Sequence, residues 1–368
     1  MGGCGPRRRA IVLANVTWIK PGPVATRARG AKIPAMKTFS ITKRIDAVTG
    51  IPERYLAAEL PAPRAVKIEL TSQCNYRCGF CAHRLRLKDR GEMDRAFYER
   101  VVGEMVDAGV EELGMFYIGE SFMCDWLPEA IAHAKQRGIG YVFLTTNGSL
   151  ASPGRVQACM KAGLDSLKFS INQADAEQFV EIAAVKARYF SDAIANLRMA
   201  RVVRDRGGFD CGLYASSIRY DGAQQVRMQA LVDEIRPHVD EHYWLPLYGQ
   251  AGLTSGAKGT RPTAGNQGRV GALRKPLPCW SLFTEGHITF DGHLSACCFD
   301  HDGRFNMGDL NTLSFMEAWH SEPFRRLRRA NLTEGVAGTV CEKCLAYDEC
   351  ESKPQPVTLM RRAEGAPM

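Results

Sequence analysis

The sequence predicts an α/β protein: a partial (β/α)6 TIM-type barrel followed by a small, cysteine-rich α+β module. Two observations carry that expectation. Between residues 66 and 250, short apolar runs alternate six times with segments of helical periodicity, the pattern of a parallel sheet covered by helices. Between residues 278 and 350, six cysteines gather around a hairpin-like pattern, which fits a second module better than another repeat.

The elements follow in order. The apolar run AVKIELT reads as a first strand and leads into a loop holding Cys74, Cys78 and Cys81. MDRAFYERVVGEMVDAG then places Phe97, Val101, Met105 and Val106 near helical spacing. Strand LGMFYIG, helix WLPEAIAHAKQRG, strand YVFLTTNG and helix PGRVQACMKAG come next. Strand SLKFSIN, a long helix around 187–207, strand DCGLYASSI, helix AQQVRMQALVDEIRPH and strand HYWLPLYG complete the series. In barrels of this kind the chemistry sits on loops at the carboxyl ends of the strands, where the three-cysteine loop falls.

Residues 251–277 are rich in Gly, Thr and basic residues without periodicity and read as a linker or mobile loop. The module 278–350 opens with FTEGHITFDGHLSACC, a hairpin whose turn is Asp291-Gly292 and whose strands bring Cys279 and Cys297 together. A turn and helix over 306–330 return the chain to Cys341 and Cys344. Residues 351–368 read as an unstructured tail, and 1–65 as a basic extension in which ten Lys and Arg residues precede the first acidic residue, Asp46. Such an arm is a solvated extension more often than a nucleic-acid contact, so no nucleic-acid partner is expected. The net charge of +8 is moderate, and no apolar run approaches the ~18 residues of a membrane span.

Thirteen cysteines without an export signal, clustered at ligand-like spacings, point to a reducing, cytoplasmic setting with thiolates kept as ligands. Thiolates are soft donors that select zinc or iron–sulfur clusters. The Cys-x3-Cys-x2-Cys loop suits one face of a cubane with one iron left open; the alternative is a zinc knuckle completed by His83. For the second module, spacing alone leaves a four-cysteine zinc site open. Cys4, Cys124, Cys159 and Cys211 have no spacing partner and read as buried thiols.

CNYRCGFC, with Phe80 in the aromatic place, resembles the motif of the radical S-adenosylmethionine (SAM) superfamily. The resemblance implies that Cys74, Cys78 and Cys81 hold a 4Fe–4S cluster whose fourth iron binds SAM. Reductive cleavage of SAM would then give a 5′-deoxyadenosyl radical that takes a hydrogen atom from substrate. FYIGES resembles the family's Gly-Gly-Glu-Pro segment at Gly119 and Glu120, departing at Ile118 and Ser121. LKFSIN resembles the segment that meets the SAM ribose and carboxylate, with Ser170 fitting and Asn172 where Asp is common. Thr146 and Asn147 end the third strand and line the implied pocket, and Phe80 would pack near adenine. EQFVEIAAV lacks the Arg that many relatives carry, leaving Lys168 as a candidate carboxylate clamp.

The second module resembles the auxiliary-cluster domains of the same superfamily, the SPASM type and its shortened twitch form. With Pro354 and a tail without cysteine, it departs from the full seven-cysteine pattern. The implied ligands of a second 4Fe–4S cluster are Cys279, Cys297, Cys341 and Cys344, with Cys298 able to replace Cys297 and Cys350 left over. Such a cluster near substrate accepts an electron, and the oxidation also needs a base. Asp300, His301 and His242 are the candidates, with Tyr243 and Asp125 behind them. The resulting expectation is an oxidoreductase acting on a small polar, sugar- or aminocyclitol-like molecule, with flavodoxin or ferredoxin as reductant. The alternative is a maturase of a ribosomal peptide or protein.

Overall fold

The computed structural model describes residues 40–57, 59–85, 87–220, 222–254 and 278–344. Cys4, Cys350, most of the linker and the tail lie outside the described residues. Strands β1 (Ala65–Ile68), β2 (Glu112–Gly114), β3 (Tyr141–Thr146), β4 (Ser166–Ser170), β5 (Gly212–Ile218) and β6 (Glu241–Leu245) pair in parallel in chain order. Helices α2 (Arg95–Asp107), α3 (Leu127–Arg137), α4 (Pro153–Lys161), α6 (Arg188–Gly207) and α7 (Gly222–Ile235) connect them. A further helix, α5 (Ala176–Ala183), precedes α6 in a stretch whose periodicity drew no helix expectation.

The second module is not a separate sheet. Strand β7 (Glu285–Ile288) pairs in parallel with β1, and β8 (His293–Ser295) and β9 (Asn306–Asp309) continue antiparallel, giving the order β6-β5-β4-β3-β2-β1-β7-β8-β9 among the described residues. The sheet is open, with β6 and β9 at its edges. The expected turn lies between β7 and β8, with Gly292 at φ 88°, where a side chain would meet Asn311. The chain then runs through β9 and the short helices α8 (Phe315–Trp319) and α9 (Glu322–Arg329).

Alternation along the strands separates two faces. Val66, Ile68, Leu113, Val142, Leu144, Leu167, Phe169, Leu213 and Ala215 are buried under the helices against Val101, Met105, Ile131, Val156 and Leu197. Each of the Val, Leu, Ile and Phe side chains gains about 1.5–3 kcal/mol on burial. A one-residue slip would turn this whole row inward, so the register is strongly set. The inner face is polar. Lys67 Nζ lies 3.1 Å from Glu285 Oε2, which also contacts His287 Nε2 at 3.0 Å, linking β1 to β7 inside the barrel.

The stretch expected as an extension contributes α1 (Ile41–Thr49), capped by Ser40. Ile41 N–H donates to Glu241 Oε2 at 2.9 Å, and Arg44 pairs with Glu112 at 2.5 Å. Glu241 and Glu112 are the first residues of β6 and β2. Helix α1 therefore lies at the amino end of the strands, away from the end where the cysteine loop emerges.

Candidate functional site

The cysteine loop leaves β1 and is fastened on three sides. Arg77 and Gly79 donate backbone N–H groups to Ala183 O (3.0 Å) and Ile182 O (2.8 Å), satisfying carbonyls that the end of α5 would leave unpaired. The chain turns away there through Ala184 at φ 52°. Tyr76 is buried, with its ring edge-on to Phe179 at 5.1 Å. On the strand side, Glu120 N–H donates to Gln73 O at 2.7 Å. Gly119 permits this approach, since a Cβ there would sit 2.1 Å from Thr71 O and 2.8 Å from Gln73 O. The following segment folds back, with Gly91 N–H on Ser72 Oγ at 2.9 Å and Met93 N–H on Leu70 O at 2.9 Å.

Within the loop, Cys81 N–H donates to Cys78 O at 3.0 Å. All three thiols are half-buried. Burial pushes Cys74 up to about 12, and the nearby charges of Glu120 and Cys81 add to it. Cys78 is raised well above the ordinary thiol range by burial and by repulsion from Cys81 and Cys74. Three thiolates this close repel one another unless a metal centre replaces their protons. No three His, Cys, Asp or Glu side chains among the described residues converge on a single-ion position. Three grouped thiolates are soft donors of the kind that hold an iron–sulfur cluster. Beside them opens a cavity of about 380 Å³ lined by Cys74, Asn75, Arg77, Arg90, Lys186 and Tyr189.

The strand-end polar residues take definite roles. Glu120 is buried, and its carboxylate accepts from Thr146 Oγ1 (2.7 Å), Asn147 N–H (2.7 Å) and Phe122 N–H (3.1 Å). It holds the ends of β2 and β3 together. Asn147 Nδ2 donates to Asn75 Oδ1 at 2.8 Å, and Asn75 Nδ2 donates to Ser149 Oγ at 2.9 Å. Asn75 and Ser149 thus tie the cysteine loop to β3; only their polarity signalled this in the sequence. Asn172 is occupied structurally, Oδ1 accepting from Ile218 N–H at 3.2 Å and its carbonyl from Tyr220 OH at 2.6 Å. Ser170 is half-buried on the inner face opposite Ser216. Phe80 packs with Ile218, Tyr220, Met228, Leu247 and Trp244.

Lys168 is misplaced for the clamp the sequence assigned to it. It contacts Tyr243 OH at 3.3 Å and lines a cavity with Ile41, Arg44 and Ile45 of α1, at the amino end of the barrel. The cations around the cavity beside Cys74 are Arg77, Arg90 and Lys186.

In the second module Cys341 is buried and Cys279, Cys297, Cys298 and Cys344 are half-buried. Cys279 is raised by burial and then by Cys341 and Cys344, and Cys297 by its contact with Cys298, burial and Cys344. The four expected thiols and Cys298 therefore form one electrostatic group, a donor set that fits an iron–sulfur cluster. Cys279 N–H is held by buried Asn331 Oδ1 at 3.2 Å, and Cys344 N–H donates to Cys341 O at 2.9 Å. Tyr117, beyond β2, donates its hydroxyl to Cys297 O and accepts from Asp300 N–H at 3.3 Å.

The candidate bases separate. Asp300 and His301 are both buried beside this loop. Asp300 is raised by burial and accepts from Phe305 N–H at 3.4 Å. His242 pairs with Ala215, whose side chain belongs to the helix-covered core, and its Nε2 contacts Ser217 Oγ at 3.0 Å. It faces the helices and not the barrel interior, so the structure removes it from the site. Asp125 is 99% exposed and is removed as well. Glu69, at the end of β1, was missed because it sits inside an apolar run.

A family model described as the radical SAM superfamily matches residues 68–208, and one described as an iron–sulfur cluster-binding domain, SPASM, matches 279–345. The PqqA peptide cyclase of Xanthomonas euvesicatoria pv. vesicatoria is 31% identical over 148 residues, covering 40% of this chain and 38% of that protein. That of Granulibacter bethesdensis is 29% identical over 146 residues, 39% of this chain and 37% of that protein. The chain thus matches well under half the length of these curated relatives. Among solved structures, Streptococcus suis SuiB bound to precursor peptide SuiA has a TM-score of 0.59 at 14% identity, covering 78% of this chain and 71% of that one. BtrN in complex with AdoMet and 2-DOIA has a TM-score of 0.50 at 16% identity, covering 79% and 98%. These likenesses are of fold. The matched domains imply a 4Fe–4S cluster, auxiliary cluster binding and SAM as cofactor. The chain belongs to the radical SAM superfamily and carries a C-terminal SPASM-type iron–sulfur domain.

Proposed function

We propose that this radical SAM enzyme oxidatively modifies a peptide, forming a crosslink or an oxidised side chain. The observation that carries the reading is its similarity to the PqqA peptide cyclases over about 40% of the chain. The fold shared with SuiB, solved with a precursor peptide, supports it. A small sugar- or aminocyclitol-like substrate, the first expectation from sequence, has only the fold likeness to BtrN behind it.

In this reading Cys74, Cys78 and Cys81 hold the SAM-binding cluster, and Cys279, Cys297, Cys341 and Cys344 the auxiliary one. When bound, the first cluster supplies the electron that cleaves SAM to a hydrogen-abstracting radical, and the second accepts an electron from substrate. The protein's own part is positioning. The Glu120–Thr146–Asn147 bonds and the Asn75–Ser149 link hold the strand ends around the loop. Arg77, Arg90 and Lys186 offer cations to anionic groups in the adjoining cavity. A small iron–sulfur or flavin protein, ferredoxin or flavodoxin, is the proposed reductant. The test is anaerobic turnover with perdeuterated candidate peptides encoded beside the gene, following deuterium into 5′-deoxyadenosine by mass spectrometry. Transfer from a peptide supports the reading; transfer only from a sugar or aminocyclitol overturns it.

A further inference from the structure

Glu69 lies just past β1, two residues beyond Lys67, and so on the inner face at the end where the cysteine loop emerges. It is 1% exposed. Its Oε2 accepts from Phe290 N–H at 3.1 Å, while Oε1 is buried with no hydrogen-bond partner among the described residues. A buried acceptor left unmatched is costly. Glu69 lines a small cavity of about 20 Å³, room for one water-sized group, together with His301, whose Nδ1 is likewise buried and unpartnered. His301 Nε2 lies 2.8 Å from Gln250 Oε1. With that amide oxygen accepting, Nε2 carries the proton and Nδ1 presents a lone pair.

The two unmatched atoms in one cavity are both acceptors, so the cavity suits a group that donates hydrogen bonds. It lies between the segments flanking the cysteine loop, which supply Ser72 before it and His83, Lys88 and Arg90 after it, and the second module, which supplies His301. Burial pushes Glu69 up to about 7; Lys88 opposes this, while Asp291 and Asp300 reinforce it. Burial holds His301 neutral, down to about 3, with His83 and Lys88 acting in the same direction. Asp89 and Arg90 are the other charged groups around the cavity.

We propose that this cavity receives the hydrogen-bond-donating end group of the reacting substrate side chain and that Glu69 is the catalytic residue that takes its proton. The inference rests on the peptide-modifying reading above. The balance is as follows. Loss of a hydrogen atom leaves a radical on a substrate carbon. An O–H or N–H bond of the substrate then breaks, its proton forming an O–H bond at Glu69 Oε1. Its electrons make the new bond to that carbon, and the surplus electron passes to the oxidised iron–sulfur cluster of the second module. The substrate has then lost a hydrogen atom, a proton and an electron, a two-electron oxidation.

Two readouts test it on holoenzyme with both clusters in place. Infrared difference spectra taken across about two pH units either side of 7, without peptide, should show a carboxyl C=O band with a midpoint near 7. That band should be absent from E69Q and displaced in E69D. With a peptide that passes the deuterium test, product formed per SAM cleaved should fall at least about a hundredfold in E69Q and recover in part in E69D. An unchanged infrared titration or an unchanged product ratio in E69Q overturns the proposal. If no peptide transfers deuterium to the wild-type enzyme, the peptide-modifying reading fails, and the infrared titration still decides whether Glu69 is the buried proton acceptor.

Discussion

Replacing Gly119 with Ala tests how the cysteine loop is set against the barrel. The added Cβ would lie 2.1 Å from Thr71 O and 2.8 Å from Gln73 O, both backbone atoms. Neither can rotate away, so the loop or the end of β2 must move. Forced overlap of this kind costs about 1–3 kcal/mol, and losing the Glu120 N–H to Gln73 O bond adds about 1 kcal/mol. The sum is about 2–4 kcal/mol, a large share of the 5–15 kcal/mol by which folded domains exceed their unfolded chains. Urea denaturation of the metal-free chain measures it directly. The displaced loop should also lower the iron bound at the first cluster, read by iron analysis and the charge-transfer band of anaerobically reconstituted protein. A G119A variant with wild-type denaturation midpoint and full iron content would refute the claim that this close approach positions the thiols.

Cys78→Ala should abolish formation of 5′-deoxyadenosine, measured by chromatography under reducing, anaerobic conditions. Cys341→Ala should still cleave SAM but lose peptide oxidation; normal product formation would contradict the electron-accepting role of the second site. His242→Gln should leave turnover unchanged, because that side chain faces the helices. The same variant changes the pH dependence of stability. Burial lowers the folded pKa of His242 to about 4 and of His301 to about 3, both below the ordinary histidine value of about 6.5. The unfolded chain therefore binds more protons as pH falls, so stability is complete above about 6.5 and declines towards 4. H242Q should lose less stability between pH 7.5 and 5 than the wild type in urea titrations, and an equal loss would contradict the burial.

The barrel was legible because its signal is periodic. Apolar runs alternating with helical spacing located β1 to β6, and the long helix expected around 187–207 is α6 at Arg188–Gly207. The β1–β7 pairing was not legible, since it joins residues more than 200 positions apart and no local pattern encodes it. Helix α1 was hidden for a related reason: its value lies in distant contacts to Glu112 and Glu241. At the site, spacing brought out the cysteines, but the face of a strand residue depends on register. His242 therefore read as a candidate base while Glu69, inside an apolar run, passed unnoticed. Glu120 and Asn172 were legible as polar strand-end residues, but not the backbone and hydroxyl partners that occupy them.

The most direct test is electron paramagnetic resonance of the anaerobically reduced holoenzyme, recorded with and without SAM. Two cluster signals are expected, of which one alone changes on adding SAM and is missing from C78A. A spectrum insensitive to SAM, or a SAM-dependent signal that survives in C78A, would contradict the assignment of the open iron to the Cys74–Cys78–Cys81 loop.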